Sequence, residues 1–442
     1  METAYYFENC SYFLLPVLVK DEARLLSFLK NNGEWQETTA YSVLETRYVL
    51  NYASRMTEPQ DGRLRRFTYT QTDSLPIYMF DARISSAMEK YGKTWSGLLP
   101  ALGEISLFVF GTGVAFLEFR LLYGKMPVEE VIEFIFLFRS LRNNESKDYL
   151  QYPDGAISFQ TAAERILDMD KSGSEICFSN SSEVKKQANI YTMLDMELCG
   201  MQESTEEEID RFRYLLMHGF SMRFVYEGHT AARKTDGGGD ADLSTQYEMI
   251  YNAGDQSFWG GSQDGLVCLA RKPYAYQYEH LTNDYRFLYL LLLDQRFASI
   301  AYISEFSEPL TKLTDIQRIH KKVADLKTRY AFRVVSDDHY NQTIYNRMYN
   351  VLELDNLIAD LEDTNDQLND VTHAEQSKHD RRFEGLLTAL SLLAIFSALV
   401  DLSDYLDRFF TQTPKNSWIS LVVNLSIICV ALFLIFVNRR KK

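Results

Sequence analysis

The chain has 442 residues, with 46 Lys or Arg against 61 Asp or Glu, so its formal net charge is −15. This acidity excludes a basic nucleic-acid-binding surface as its main feature, and nucleic-acid polymers are not expected as partners. The apolar fraction of 46 % and the charged fraction of 24 % exclude bulk disorder and a collagen-like fold, and the length predicts two or three domains.

Neither targeting signals nor disulfides are predicted. The N-terminal residues lack a basic start and contain only a short apolar run, so neither secretion nor a transit peptide is expected. The five cysteines are odd in number, widely spaced and without a CxxC pair, which indicates reduced thiols in a cytosolic body.

The first 150 residues alternate between strand-like and helix-like segments. Residues 11–19 and 65–72 predict strands, and residues 21–32 predict an amphipathic helix. The aromatic and β-branched segments 105–110 and 114–123 predict a hairpin, because a tip with two glycines provides the positive φ angles that a tight turn needs. No GxxxxGK(S/T) pattern follows, so we interpret this tip as a turn rather than as a phosphate-binding loop.

Two segments further along the chain are weak candidates for a ligand site. A polar, Gly-rich segment predicts a surface loop, in which Arg233 and Lys234 would be able to close over an anion. Trp259 with Gly260 and Gly261 offers an aromatic face and free backbone amides, which suit a nucleotide base and a phosphate. A hairpin turn is the other explanation of these three residues.

A strongly apolar helix is predicted over residues 284–303, and its four charged residues place it in a protein core. The seven histidines are spread singly and match no metal-binding motif, and no Ser or Cys lies in a recognisable nucleophile motif. We therefore expect the chain not to be an enzyme.

A long stalk helix is predicted next, because residues 344–400 contain no Pro and no Gly before Gly385. Steps of four and three residues from Leu354 to Val400 trace a seam that is apolar at both ends and polar in the middle. In one interpretation several copies surround a water-filled path; in the other the helix does not keep this register, because it has 3.6 residues per turn. The candidate pore-lining residues on this helix are Asn365, Thr372, Glu375, His379 and Thr388.

Acidic residues crowd the same helix. Divalent cations bound between neighbouring subunits would relieve the repulsion between their acidic faces. Asp355, Asp363 and Asp366 are the candidate ligands of such a cation.

Two apolar segments near the C-terminus predict transmembrane helices. Residues 416–438 carry no charge and are long enough to cross about 30 Å of hydrocarbon, whereas residues 385–400 are uncharged but short, so that a buried soluble helix is the alternative. Basic residues precede the first span and end the chain, which places both termini in the cytosol. Asp401 and Asp404 between the spans would form acidic rings at an outer pore mouth, or simply a solvated helix end.

The predicted fold class is an α/β cytosolic domain followed by a long stalk helix and a C-terminal two-helix transmembrane hairpin, located in the inner membrane. The predicted divisions are a ligand-sensing region (1–310, with a subdivision near 145–205), the stalk (311–384), the first span (385–406), an external loop (407–416), the second span (417–438) and a basic cytosolic tail (439–442).

Over roughly residues 313–442 this arrangement resembles the CorA family of two-helix metal-ion transporters. The stretch LEDTNDQLNDVTHAEQSKHDRRFEGLLTALSLLAIFSALVDL looks like the passage of that family from the stalk into the membrane. The resemblance implies a homopentamer whose first transmembrane helices line a pore, with magnesium as a regulator bound between the acidic stalks. The Gly-Met-Asn signature of the family is absent where this chain reads DLSDYLDRFFTQTPKNSW, so magnesium selectivity is not implied.

A second resemblance concerns architecture alone. The chain lacks the signature and has an enlarged cytosolic region, and in this architecture it resembles the CorA-like membrane effectors of type III CRISPR systems. This implies a homo-oligomeric channel or membrane-perturbing effector that a nucleotide second messenger gates in antiviral defence. The alternatives are a divalent metal-ion transporter of the magnesium type and a membrane-anchored receptor or scaffold without a pore. The expected partners are the lipid bilayer, further copies of the chain and a small nucleotide.

Overall fold

The computed structural model of the protein describes residues 7–38, 48–58, 61–71, 81–139, 150–176 (without 153, 154 and 158), 188–223, 248–307 (without 274), 313–368, 384–385, 387–392, 395 and 398–399. The chain divides into two compact units, Met1–Asn365 and Asp366–Lys442.

The strands are β1 (Cys10–Val19), β2 (Trp35–Thr38), β3 (Leu64–Tyr69), β4 (Ala101–Phe110), β5 (Val114–Leu122), β6 (Leu150–Tyr152), β7 (Gly155–Ile157), β8 (Ser174–Ile176), β9 (Asn189–Asp195), β10 (Met249–Ala253), β11 (Ser257–Gly261) and β12 (Gly265–Ala270). The helices are α1 (Glu22–Asn31), α2 (Asn51–Ser54), α3 (Asp81–Lys90), α4 (Val128–Arg139), α5 (Phe159–Leu167), α6 (Met169–Ser172), α7 (Glu206–His218), α8 (Ala275–Thr282), α9 (Asp284–Ser307), α10 (Leu313–Arg329), α11 (His339–Val351) and α12 (354–368), with a 3-10 turn at Arg55–Thr57.

Within the described residues, ten of the strands form one mixed sheet in the order β10-β11-β12-β9-β1-β5-β4-β3-β2, with β8 paired to β1 beside this path. The first described strand, β1, lies at the centre between β5 and β9 and is buried on both faces. This explains its predominantly apolar sequence, because a central strand has no solvent-facing side. Neighbouring strands in the main path are antiparallel, except that β12 runs parallel to β9.

The predicted hairpin is confirmed. Strands β4 and β5 pair antiparallel from Val109 opposite Ala115 to Ala101 opposite Leu122, with a register shift between Leu102 and Ile105. The pattern was informative because its signal is local: two β-rich segments and a glycine tip, in which Gly113 has a φ of +88°.

One face of the sheet carries the main apolar core. Alternate residues of β1, β4 and β5 point to this face and pack with the apolar sides of α1, α4, α5 and α7. The opposite face is covered by α9, where Phe297 packs on Phe116 and Tyr289 packs on Tyr191. The unit Met1–Asn365 therefore has a sheet between two helical layers, and α9 lies in a core as its sequence predicts.

The predicted uninterrupted stalk helix is not observed. Helix α11 ends at Val351, Leu352 caps it, and Glu353 has a left-handed φ of +54° before α12 begins. A search for Gly and Pro misses this break because a non-glycine residue takes the conformation that usually requires glycine.

No helix in the described part of the chain is long and apolar enough to cross a membrane. This includes residues 384–399, which are helical wherever they are described. The predicted transmembrane hairpin is therefore wrong, and with it the predicted fold class, the membrane and channel assignments and the inner-membrane localisation. Segments 407–416, 417–438 and 439–442 lie outside the described residues.

Candidate functional site

Charged residues gather on the face of the sheet that α9 covers. Neighbouring strands present polar side chains there at every second position: Arg66 and Thr68 on β3, Glu104 and Ser106 on β4, and Glu118 and Arg120 on β5. Since side chains alternate between the two faces of a strand, this spacing puts all six on one face.

Three guanidinium groups alternate with two aromatic rings across this face. The guanidinium of Arg66 lies 5.9 Å from the ring centre of Phe108, and that of Arg286 lies 5.4 Å from the same ring. Arg286 also lies 4.3 Å from the ring centre of Tyr12, and Arg120 lies 5.7 Å from Tyr12. We call these five residues the arginine row; cation–π attraction favours each contact.

The middle of the arginine row is sealed from solvent. Arg286 is 4 % exposed and forms a two-pronged ion pair with Glu118, which is 1 % exposed. Burial raises the pKa of Glu118, and the adjacent charge of Arg286 lowers it part of the way back. Both partners are buried, hydrogen-bonded to each other and neutralise each other's charge, so neither of them is available to a ligand.

One end of the row is partly open. The Arg120 side chain is 24 % exposed, and its Nη2 donates hydrogen bonds to Glu8 Oε2 at 2.7 Å and to Tyr278 Oη at 3.0 Å. The Tyr278 hydroxyl in turn donates to Glu8 at 3.3 Å, and burial raises the pKa of Tyr278 to about 12, so its proton is present at neutral pH. Arg120 Nε is buried and has no hydrogen-bond partner in the described part of the structure.

The other end is closed by Arg66. Its Nη1 donates to Thr38 Oγ1 at 2.9 Å, and its Nη2 donates to Ser106 Oγ at 3.0 Å and to Glu104. Arg66 is only 2 % exposed, whereas the Glu104 side chain is 38 % exposed. Solvent therefore reaches the carboxylate at this end but hardly reaches the guanidinium.

The sequence-predicted ligand residues lie elsewhere. Trp259, Gly260 and Gly261 are inside strand β11, where their backbone groups face neighbouring strands on both sides. Trp259 is 3 % exposed and packs on Tyr285, and a Cβ at Gly260 would approach Arg213 Cγ to 2.5 Å. These glycines thus make room for side chains rather than for a phosphate. Arg233 and Lys234 lie outside the described residues.

Two of the predicted pore-lining residues can be placed. The Asn365 side chain is hydrogen-bonded to His320 of α10 within the same chain, and the Thr388 hydroxyl donates to the carbonyl of Glu384 one helical turn earlier at 2.7 Å. The remaining candidates, Thr372, Glu375, His379, Asp401 and Asp404, lie outside the described residues.

The predicted magnesium ligands do not converge. Asp355 is paired with Arg333, and Asp363 and Asp366 are exposed along α12. Across the described ranges, no group of three or more His, Cys, Asp or Glu side chains is arranged to hold a metal ion.

The arginine row was not predicted. The sequence does contain polar residues at alternate positions of three strands, but this pattern normally indicates a solvent-facing side of a sheet. In this protein that side is covered by α9, which brings its own Arg286.

No family model, curated protein or solved structure was found to match the chain. The resemblance to the CorA family therefore stays a prediction from the sequence.

Proposed function

We propose that the protein is a ligand sensor whose α/β region binds a small anionic ligand at Arg120, the open end of the arginine row. The observation that carries this proposal is the state of the Arg120 side chain. It is partly exposed, its guanidinium lies 5.7 Å from the ring centre of Tyr12, and its Nη2 donates to a carboxylate oxygen of Glu8 at 2.7 Å. A phosphate oxygen would accept the same charge-assisted hydrogen bond from Nη2.

A nucleotide fits the chemistry of this site. Guanidinium groups bind phosphate oxygens through paired, charge-assisted hydrogen bonds. Tyrosine rings offer stacking surfaces for a base, and Tyr278 lies within hydrogen-bonding distance of Arg120. A nucleotide messenger in antiviral defence and association of the chain with further copies of itself remain predictions.

The experiment is isothermal titration calorimetry of the full chain with pyrophosphate, AMP and adenosine. We expect binding of pyrophosphate and AMP and much weaker binding of adenosine, which lacks the anion. In Arg120→Gln the affinity for pyrophosphate should fall by about 10-fold to 100-fold, because a hydrogen bond to a charged group contributes about 1.5–3 kcal/mol.

The matched control is Arg333→Gln. Arg333 is also stacked on a tyrosine, at 4.2 Å from the ring centre of Tyr349, and is also paired with a carboxylate, Asp355. Its loss should leave the affinity unchanged. Equal binding by wild type and Arg120→Gln, or no binding of either anion to the wild type, would refute the proposal.

A further inference from the structure

The chain itself supplies an anion to Arg120. Glu8 lies on the short N-terminal arm Phe7–Glu8, which crosses the open end of the arginine row. Its carboxylate accepts hydrogen bonds from both Arg120 and Tyr278, and the Phe7 ring packs edge-on against the Tyr278 ring, with 5.3 Å between ring centres. The arm thus covers the group that the proposed ligand would contact.

The arm is anchored at Asn9, the residue that follows Glu8. Asn9 is fully buried; its side-chain oxygen accepts from the Asp195 amide at 2.6 Å, and its side-chain nitrogen donates to the Gly124 carbonyl at 2.8 Å. Its carbonyl accepts from the Tyr123 amide at 2.8 Å. Glu8 is therefore tethered one residue from a rigid anchor, which keeps its carboxylate at a high local concentration beside Arg120.

The contact that the arm makes is nevertheless exchangeable. The Glu8 side chain is 49 % exposed, and ion pairs this open to solvent are weak and screened by salt. The ion pair between Arg286 and Glu118, by contrast, is buried, so its partners do not exchange with groups from solvent. Carboxylate and phosphate oxygens make the same contact with a guanidinium, and both groups cannot occupy Arg120 Nη2 together.

From this geometry we infer that Glu8 is an intramolecular competitor, which occupies the anion position of Arg120 until a phosphate-bearing ligand displaces it. This inference rests on the proposed anion site at Arg120. Displacement breaks the contacts of Glu8 and Phe7 with α8, so occupancy of the site is converted into release of the N-terminal arm. The ligand then has to out-compete a tethered carboxylate, which sets the threshold concentration of the sensor.

The first test measures pyrophosphate affinity by calorimetry in the full-length wild type, Glu8→Gln and Glu37→Gln. Glu37 is the matched control because it is a similarly exposed carboxylate, 45 %, in ion pairs with Lys30 and Arg65. Glu8→Gln should bind about twofold to fivefold more tightly than wild type, since a surface ion pair no longer competes. Glu37→Gln should bind as the wild type does.

The second test uses the wild type alone. Saturating pyrophosphate should increase the rate of chymotrypsin cleavage after Phe7, because the displaced arm is accessible. Pyrophosphate binding that depends on Arg120, but with unchanged affinity in Glu8→Gln or unchanged cleavage, overturns this inference and leaves the anion site standing. No pyrophosphate binding in either wild type or Glu8→Gln overturns both.

Discussion

The buried ion pair between Arg286 and Glu118 gives the sharpest test of how the covered face of the sheet is stabilised. Replacing Arg286 with Met removes both hydrogen bonds to Glu118 and leaves a carboxylate that is 1 % exposed without its counter-charge. Breaking a buried pair by removing one partner typically costs about 3–5 kcal/mol of unfolding free energy. We expect a loss in this range for Arg286→Met at pH 7.5, and a similar loss for Glu118→Leu.

The double variant Glu118→Leu with Arg286→Met should recover most of this loss. Two apolar side chains of similar volume have no charge to desolvate, and such replacements are often neutral. The recovery distinguishes a desolvation penalty from a simple loss of packing, because packing losses would add.

Acid should also lessen the cost of Arg286→Met. Without Arg286, burial raises the pKa of Glu118 further, and the unfavourable contribution of the charged carboxylate is absent below its unfolded pKa of about 4.3 and grows as the pH rises above it. The deficit relative to wild type should therefore be smaller at pH 5 than at pH 7.5.

The assay is urea unfolding followed by far-UV circular dichroism at both pH values. The control is Arg333→Met, whose pair with Asp355 is exposed and should contribute no more than about 1 kcal/mol. The reasoning fails if Arg286→Met costs less than the control, or if the double variant costs the sum of the single variants.

Three further predictions concern buried or crowded positions. Asp294 is fully buried and, among the described residues, accepts one hydrogen bond, from Thr112; burial raises its pKa well above the usual range. Asp294→Asn should therefore raise the urea midpoint at pH 7.5 but not at pH 4, and a lower midpoint at both pH values would contradict this. Burial lowers the pKa of His218, but hydrogen bonds and charges of Asp264 and Glu248 raise it more, so its contribution is full below about pH 6.5 and is lost as the pH rises through the folded-state pKa. His218→Gln should therefore reduce the change of the urea midpoint between pH 6 and 9, whereas replacing the exposed His339 with Gln should leave that change as in the wild type. Gly260→Ala should cost about 1–3 kcal/mol in urea unfolding, because its Cβ would meet the buried Arg213, while Gly385→Ala, with open space around it, should cost nothing.

Local features of the fold could be predicted from the sequence. The β4–β5 hairpin follows from two β-rich segments and a glycine tip, and the apolar helix α9 follows from its composition. In both cases the deciding residues are neighbours in the chain. The segment Trp259–Gly261 could not be predicted in this way, because Gly260 makes room for Arg213, which lies 47 residues away in the sequence.

The candidate site depends on contacts that are remote in sequence. Tyr12, Arg66, Arg120 and Arg286 come from four different elements, and no spacing between them forms a motif. Whether a polar strand face meets water or a helix is decided by tertiary packing, which the alternation of residues does not encode. The break at Glu353 had no composition signal, since the residue is neither Gly nor Asn.

The central position of β1 has a consequence for how the protein is made. The strand precedes all of its partners in the chain: β5 ends at Leu122, β8 at Ile176 and β9 at Asp195. β1 therefore stays unpaired until β5, which ends 103 residues after Val19, has been translated, and its other edge stays open until β9 follows. Pairings this distant in sequence are slow to form, and an exposed apolar strand is prone to associate with other chains. The unpaired β1 is thus a point at which the nascent chain is vulnerable to aggregation, and we expect its yield to depend on chaperones that bind this strand.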